Sequence, residues 1–128
     1  MTVLIVDDDD HQRLLYRETF ADEGYDVLEA RNATEALAEV RKGRADVVVL
    51  DINMPGVDGL DALAAIHGID RRLPIVLNSA YAAYRDQYVS WIADAYVVKS
   101  SDLTELRAAV RDVLARAAAR APGTAEPK

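Results

Sequence analysis

Four short apolar runs in this chain each end in a residue suited to phosphoryl chemistry. Leu4-Ile5-Val6 leads into Asp7-Asp8, Val47-Val48-Val49-Leu50 into Asp51, Ile75-Val76-Leu77 into Asn78-Ser79, and Tyr96-Val97-Val98 into Lys99. Three carboxylates gathered in one place repel one another unless they are protonated or bridged by a cation. An oxygen-only donor set with no His or Cys favours Mg²⁺, or the similar Mn²⁺, over zinc. With such a cation on one side and a lysine on the other, a carboxylate can attack a phosphoryl group, because both positive charges stabilise the transferring oxygens. Asp51 is the candidate nucleophile. Ser79 can donate its hydroxyl to a phosphoryl oxygen, Ala80 beside it leaves room for a phosphodonor, and Lys99 supplies a point charge. Residues at 7, 51, 79 and 99 become neighbours only if the four runs are parallel strands sharing one edge, the edge where open α/β sheets bind their ligands.

The runs carry no polar alternation, which is how strands buried on both faces of a parallel sheet read. Between them lie segments of helical period: Ala33, Ala36, Leu37 and Val40, and later Leu103, Leu106, Val110, Val113 and Leu114. The pattern predicts strands over 2–6, 26–29, 46–50, 74–78 and 95–98, and helices over 10–22, 33–42, 59–68, 82–92 and 102–119. That makes five β-α units in succession. Gly24 and Gly43 punctuate helix ends, Asn32 with Glu35 resembles a capping box, and Asp102 with Glu105 opens the last helix. After 120 the segment Ala-Pro-Gly-Thr-Ala-Glu-Pro-Lys reads as a flexible tail or the start of a linker, so one domain is expected over 1–120 and a tail over 121–128.

The bulk properties narrow the function. At 128 residues the chain accommodates one domain with a sizeable core. Twenty-two acidic against fifteen basic residues give a formal net charge of -7, which disfavours binding to nucleic acid phosphates or anionic lipid. There is no cysteine, hence no disulfide, thiolate nucleophile or cysteine-based metal site. No apolar stretch approaches the ~18 residues of a membrane span, and none at the N-terminus has signal length, so a cytoplasmic location is the expectation.

The stretches Leu4-Ile5-Val6-Asp7-Asp8, Val49 to Gly59 (VLDINMPGVDG), Asn78-Ser79-Ala80 and Tyr96-Val97-Val98-Lys99 together resemble the receiver domain of two-component response regulators, over residues 2 to 116. The second stretch is the specific one. The resemblance implies a single (βα)5 doubly wound domain, flavodoxin-like and similar to chemotaxis regulators, with a five-stranded parallel sheet of order 2-1-3-4-5. It also implies roles. Asp51 would be the phosphoacceptor, Asp8 a direct metal ligand, Asp7 a ligand mostly through water, and Asn53 a ligand through its backbone carbonyl, while Ser79 and Lys99 would contact the phosphoryl group. Its partners would be a sensor histidine kinase or phosphotransfer protein and a downstream effector. The effector would be controlled when Ser79 and Tyr96 rearrange the surface formed by the fourth helix, fifth strand and fifth helix. A phosphorylation-dependent homodimer is compatible with the same surface. The chain would not be an enzyme beyond its own phosphorylation and dephosphorylation.

One position departs from the family. A proline usually follows the lysine, often after a cis peptide, whereas this chain has Lys99-Ser100-Ser101. A non-proline cis bond costs about 2.5–4 kcal/mol over trans, so either a trans bond with a reshaped loop or a strained exception is expected.

Several features also have plain structural readings. Asp9 and Asp10 suit the positive end of a helix dipole, His11 and His67 suit the surface, and Tyr84, Tyr88 and Trp91 recur at the i, i+4, i+7 spacing that burial produces. Tyr81, two residues past Ser79, is positioned to overhang the site and hinder attacking water.

Two other functions compete. A phosphohydrolase of the haloacid dehalogenase type also uses Asp, Mg²⁺, Ser or Thr, and Lys. It carries its nucleophile near the first strand with a second carboxylate two residues on, where this chain has Asn53 after Asp51 on the third. A pseudo-receiver adaptor would fold alike without being phosphorylated, against which stands the intact set of Asp7, Asp8, Asp51, Ser79 and Lys99. With nothing after Lys128 to act as effector, a stand-alone receiver or the N-terminal domain of a longer regulator is expected.

Overall fold

The computed structural model of the chain describes residues 1–52, 59–80 and 93–120. In order these form β1 (Thr2–Val6), α1 (Asp10–Asp22), β2 (Asp26–Ala30), α2 (Ala33–Arg41), β3 (Val47–Asp51), α3 (Gly59–Ile69), β4 (Ile75–Ser79), β5 (Ala95–Val98) and α4 (Thr104–Arg120). The helix expected over 82–92, the residues Asn53, Tyr81, Tyr84, Tyr88 and Trp91, and the tail 121–128 lie outside the described residues.

All strand pairs are parallel, and the sheet order is β2-β1-β3-β4-β5, as the resemblance implied. The two faces follow from strand alternation. Leu4, Val6, Val48, Leu50, Ile75, Leu77 and Tyr96 pack with Ala36 and Val40 of α2 and Leu63 and Ile66 of α3. Val3, Ile5, Val47, Val49, Val76 and Val97 pack with Tyr16 and Phe20 of α1 and Leu106, Val110 and Val113 of α4. Burial of every residue in β3 and β4 explains their unbroken apolar reading.

Because β1 lies between β2 and β3, the chain leaves it in opposite directions, and a crevice opens beyond the carboxyl ends of β1 and β3. Register fixes which residues meet there: Val6 pairs with Leu50, Asp51 with Asn78, and Ser79 with Val98. Asp7, Asp51, Ser79 and Lys99 thereby reach one edge.

The helix ends set the lengths of the connections. At the end of α1, Gly24 N–H donates to the Ala21 carbonyl at 3.0 Å and Tyr25 N–H to the Phe20 carbonyl at 3.1 Å. Gly24 holds φ +94°, and the Phe20 and Tyr25 rings meet edge to face at 5.7 Å. These are the bonds, the left-handed residue and the apolar contact of a Schellman stop, which turns the chain straight into β2. The last helix begins at Thr104 rather than 102. Asp102 Oδ1 accepts the Thr104 N–H at 2.9 Å and so forms a turn ahead of the helix.

A Cβ built on Gly24 meets nothing within 4 Å, so its requirement for glycine is conformational. Gly24→Ala is expected to lose about 1–2 kcal/mol in urea unfolding, with Gly24→Asn closer to the unchanged chain because asparagine tolerates left-handed backbone.

Candidate functional site

Asp7 sits one residue past β1 and is 1% exposed, and Asp51 ends β3 at 3%. Two carboxylates this deep require compensation. Lys99, one residue past β5, supplies part of it: its Nζ lies 3.3 Å from Asp7 Oδ2 and 3.3 Å from Asp51 Oδ2. Asp7 Oδ1 accepts the Asp9 N–H at 2.9 Å. Asp8 is exposed beside them, and one carboxylate oxygen each from Asp7, Asp8 and Asp51 lies within 4.8 Å of the others.

Among the described residues, three carboxylates and one ammonium meet here, an excess of negative charge that suits a divalent cation. Around Mg²⁺ at about 2.0–2.1 Å, ligand oxygens are roughly 3–4 Å apart, so a small inward movement of these three would satisfy it. The site therefore fits a hard divalent ion approached from the exposed Asp8 side.

Burial is the main influence pushing the Asp7 carboxyl above its ordinary range. The Asp9 amide and Lys99 oppose it, and Asp51 adds to it. For Lys99, burial works downward but is outweighed by the Asp51 and Asp7 carboxylates, so the ammonium is held more firmly than usual.

Ser79 ends β4 fully buried, and its carbonyl accepts the Lys99 N–H at 2.6 Å, tying the serine and lysine strand ends together. Tyr96 is 6% exposed and packs with the α2 and α3 residues on the sheet face that carries Leu77. Among the described residues there is no cis peptide, so Lys99-Ser100 is trans. The loop after it is shaped by Ser100 Oγ, which accepts the Asp102 N–H at 3.1 Å. Asp9 caps α1, accepting from the His11 and Gln12 amides at 2.9 and 3.2 Å, and Asp10 is its first residue, which is the plain reading of both.

Two arrangements were not anticipated from sequence. The first is Arg13, 8% exposed on α1, while its neighbours Leu14 and Leu15 are 42% and 43% exposed. Its Nη1 donates to the Asp7 carbonyl at 2.8 Å, Nη2 bonds Asp10, and Nε lies 3.5 Å from Glu29. The guanidinium thus braces the turn that carries Asp7 and Asp8. The only sequence signal is the spacing Arg13, Tyr16, Phe20, which puts an arginine on the buried stripe of α1. The second is a buried hydrogen bond from Asn78 Nδ2 to Tyr16 Oη at 2.9 Å. Burial pushes the Tyr16 phenol upward, against the bond from Asn78 and the pull of Lys99.

The sequence model of the response regulator receiver domain matches residues 3–111, most of the chain. The chain belongs to the response regulator receiver family. This receiver domain is 35% identical over 114 residues to sporulation initiation phosphotransferase F of Bacillus subtilis, spanning 88% of this chain and 92% of that one. It is 34% identical over 126 residues to the transcriptional regulatory protein PrrA of Mycobacterium tuberculosis, of which it spans 54%, about half. Among solved structures, the response regulator TrrA of Thermotoga maritima in complex with Mg(2+)-BeF has 40% identity and a TM-score of 0.81, covering 88% of this chain and 97% of that one. The complex of the histidine kinase ThkA with TrrA has 41% identity and a TM-score of 0.80 over the same shares. Phosphorylation and Mg²⁺ binding are typical of the family. Among the described residues, no helix is long and apolar enough to cross a membrane.

Removing one buried carboxylate should relieve the metal-free fold. Asp7→Asn is expected to raise metal-free stability by about 1 kcal/mol at neutral pH. Because the folded state holds the Asp7 proton more tightly than an ordinary carboxyl of pKa 3.8, ionisation weakens the fold. The penalty fades as the pH falls from the raised value toward 3.8. Urea unfolding of both proteins across that range should show their difference narrowing with acidification.

Proposed function

We propose that Asp51 accepts a phosphoryl group from a histidine kinase or phosphotransfer protein, with Asp7, Asp8, Asp51 and the Asn53 carbonyl holding Mg²⁺ and with Ser79 and Lys99 engaging the phosphoryl oxygens. The observation that carries this reading is the Lys99 ammonium 3.3 Å from both Asp7 and Asp51, with a third carboxylate alongside. Mn²⁺, with the same preference for oxygen ligands, would serve in place of Mg²⁺.

In the transfer, an Asp51 oxygen attacks the phosphorus of a phosphohistidine. The P–O bond forms as the P–N bond breaks, and the imidazole leaves with the electron pair. Lys99 is placed to stabilise the equatorial oxygens, and the Ser79 hydroxyl to donate to one of them. A bound divalent cation would lower the repulsion among the carboxylates and between them and the incoming phosphoryl oxygens. Hydrolysis of the aspartyl phosphate would return the domain to its starting state, so the chain turns over no separate substrate. It acts as a cytoplasmic signalling domain over 1–120 followed by a tail or linker. Its output is the affinity of an effector for the surface formed by the segment 82–92, β5 and the last helix, or of a second copy for the same surface. The kinase complex of TrrA and the regulatory relatives support these partners.

Incubation of the full chain with Mg²⁺ and a small acyl phosphate should add one phosphoryl mass by intact mass spectrometry. The addition should vanish in Asp51→Asn and after chelation. No addition, or addition that survives Asp51→Asn, would overturn the assignment.

A further inference from the structure

Asn78 and Tyr16 are each 1% exposed, in a layer otherwise built from Ile5, Val49, Val76, Val97, Phe20 and Val110. A buried amide or phenol in such surroundings is costly unless bonded, and an apolar pair of similar volume would fill the space without that cost. The polar pair is therefore poorly explained by stability alone. Its position gives it another use. Asn78 is the register partner of Asp51 on the neighbouring strand. By strand alternation both project from the face that carries Val49 and Val76, about one strand spacing apart. Asn78 also directly precedes Ser79, whose carbonyl holds the Lys99 amide. Tyr16 belongs to α1, two turns after the Asp7-Asp8 turn that Arg13 braces.

We propose that Tyr16 and Asn78 are positioning residues for phosphoryl transfer. Their hydrogen bond, between residues 62 apart in sequence, fastens the half of the site that carries Asp7 and Asp8 to the half that carries Ser79 and Lys99. β1 and the turn into α1 carry the first half and β4 with β5 the second, and Asn78–Tyr16 is a side-chain hydrogen bond between α1 and β4. It fixes the end of β4 beside Asp51, so that the Ser79 hydroxyl and the Lys99 ammonium meet the incoming phosphoryl group at one distance rather than a range. Both act on the placing of the strand ends rather than on the phosphoryl group itself. The inference rests on Asp51 being the phosphoacceptor.

The test compares the full chain with Tyr16→Phe, Asn78→Val and the double variant. The readouts are urea stability, Mg²⁺ affinity, and the rate of phosphorylation by a small acyl phosphate at saturating Mg²⁺. Each single variant should lower the maximal rate by roughly threefold to tenfold, since misplacement of reacting groups is felt in kcat. The double variant, with no unsatisfied polar group left, should recover stability but not rate, and should be no slower than the slower single. Rates that recover together with stability, or singles that lose stability while keeping the unchanged chain's rate, reduce the pair to packing and overturn the inference. A second readout is the Asn78 side-chain amide resonance, which should shift on adding Mg²⁺ and beryllofluoride and lose that response in Tyr16→Phe, where the amide remains but its partner hydroxyl is gone. No shift in the unchanged chain also overturns it. If the unchanged chain is not labelled at Asp51 at all, the phosphoacceptor assignment falls first. Labelling at Asp51 with pair-independent rates removes only the present inference.

Discussion

Two carboxylates stand side by side at the buried end of a parallel sheet with one ammonium between them, and the polar architecture of that end follows from what it costs to keep them there. Lys99 divides itself between Asp7 and Asp51, the Asp9 amide takes the second oxygen of Asp7, and Asp8 stays at the surface. Among the described residues, three carboxylates meet one ammonium there. A fold selected for stability alone would not assemble this group. It is intelligible as a place kept ready for a divalent cation and then for a phosphoryl group.

The sheet makes the arrangement possible without any long-range design in the loops. Apolar residues along β1, β3, β4 and β5 fix the register. The register brings the polar residues at the carboxyl ends of these strands to the same edge, and the reversal of strand order at β1 opens the crevice above them. The reach of the site into the body of the domain is supplied by α1. Arg13 holds the Asp7 carbonyl from below, and Tyr16 reaches across to Asn78 on β4. One helix thus contacts both sides of the crevice.

Most of this was legible in the sequence because it depends on local pattern. The nine described elements lie where apolar period and punctuation put them, within one or two residues. Asp51 and Ser79 prove to be the last residues of their strands rather than the first beyond them. The joining of Asp7, Asp8, Asp51 and Lys99 was legible because strand ends in a parallel sheet share an edge. Arg13 and the Tyr16–Asn78 bond were not. An arginine on a buried helical stripe and an asparagine at the end of an apolar run acquire meaning only from partners that the tertiary fold supplies, and no spacing rule announces them. The loop after Lys99 shows the same limit: without proline the peptide is trans, and serine and aspartate side chains shape the turn that proline would otherwise constrain.

The central claim is that the cluster of Asp7, Asp8 and Asp51 at this edge is a cation site, and Mg²⁺ titration of the full chain by isothermal calorimetry at low ionic strength tests it most directly. One ion per chain is expected, with affinity falling by about tenfold or more in Asp8→Ala. Absence of saturable binding, or binding that is indifferent to the loss of Asp8, would contradict it.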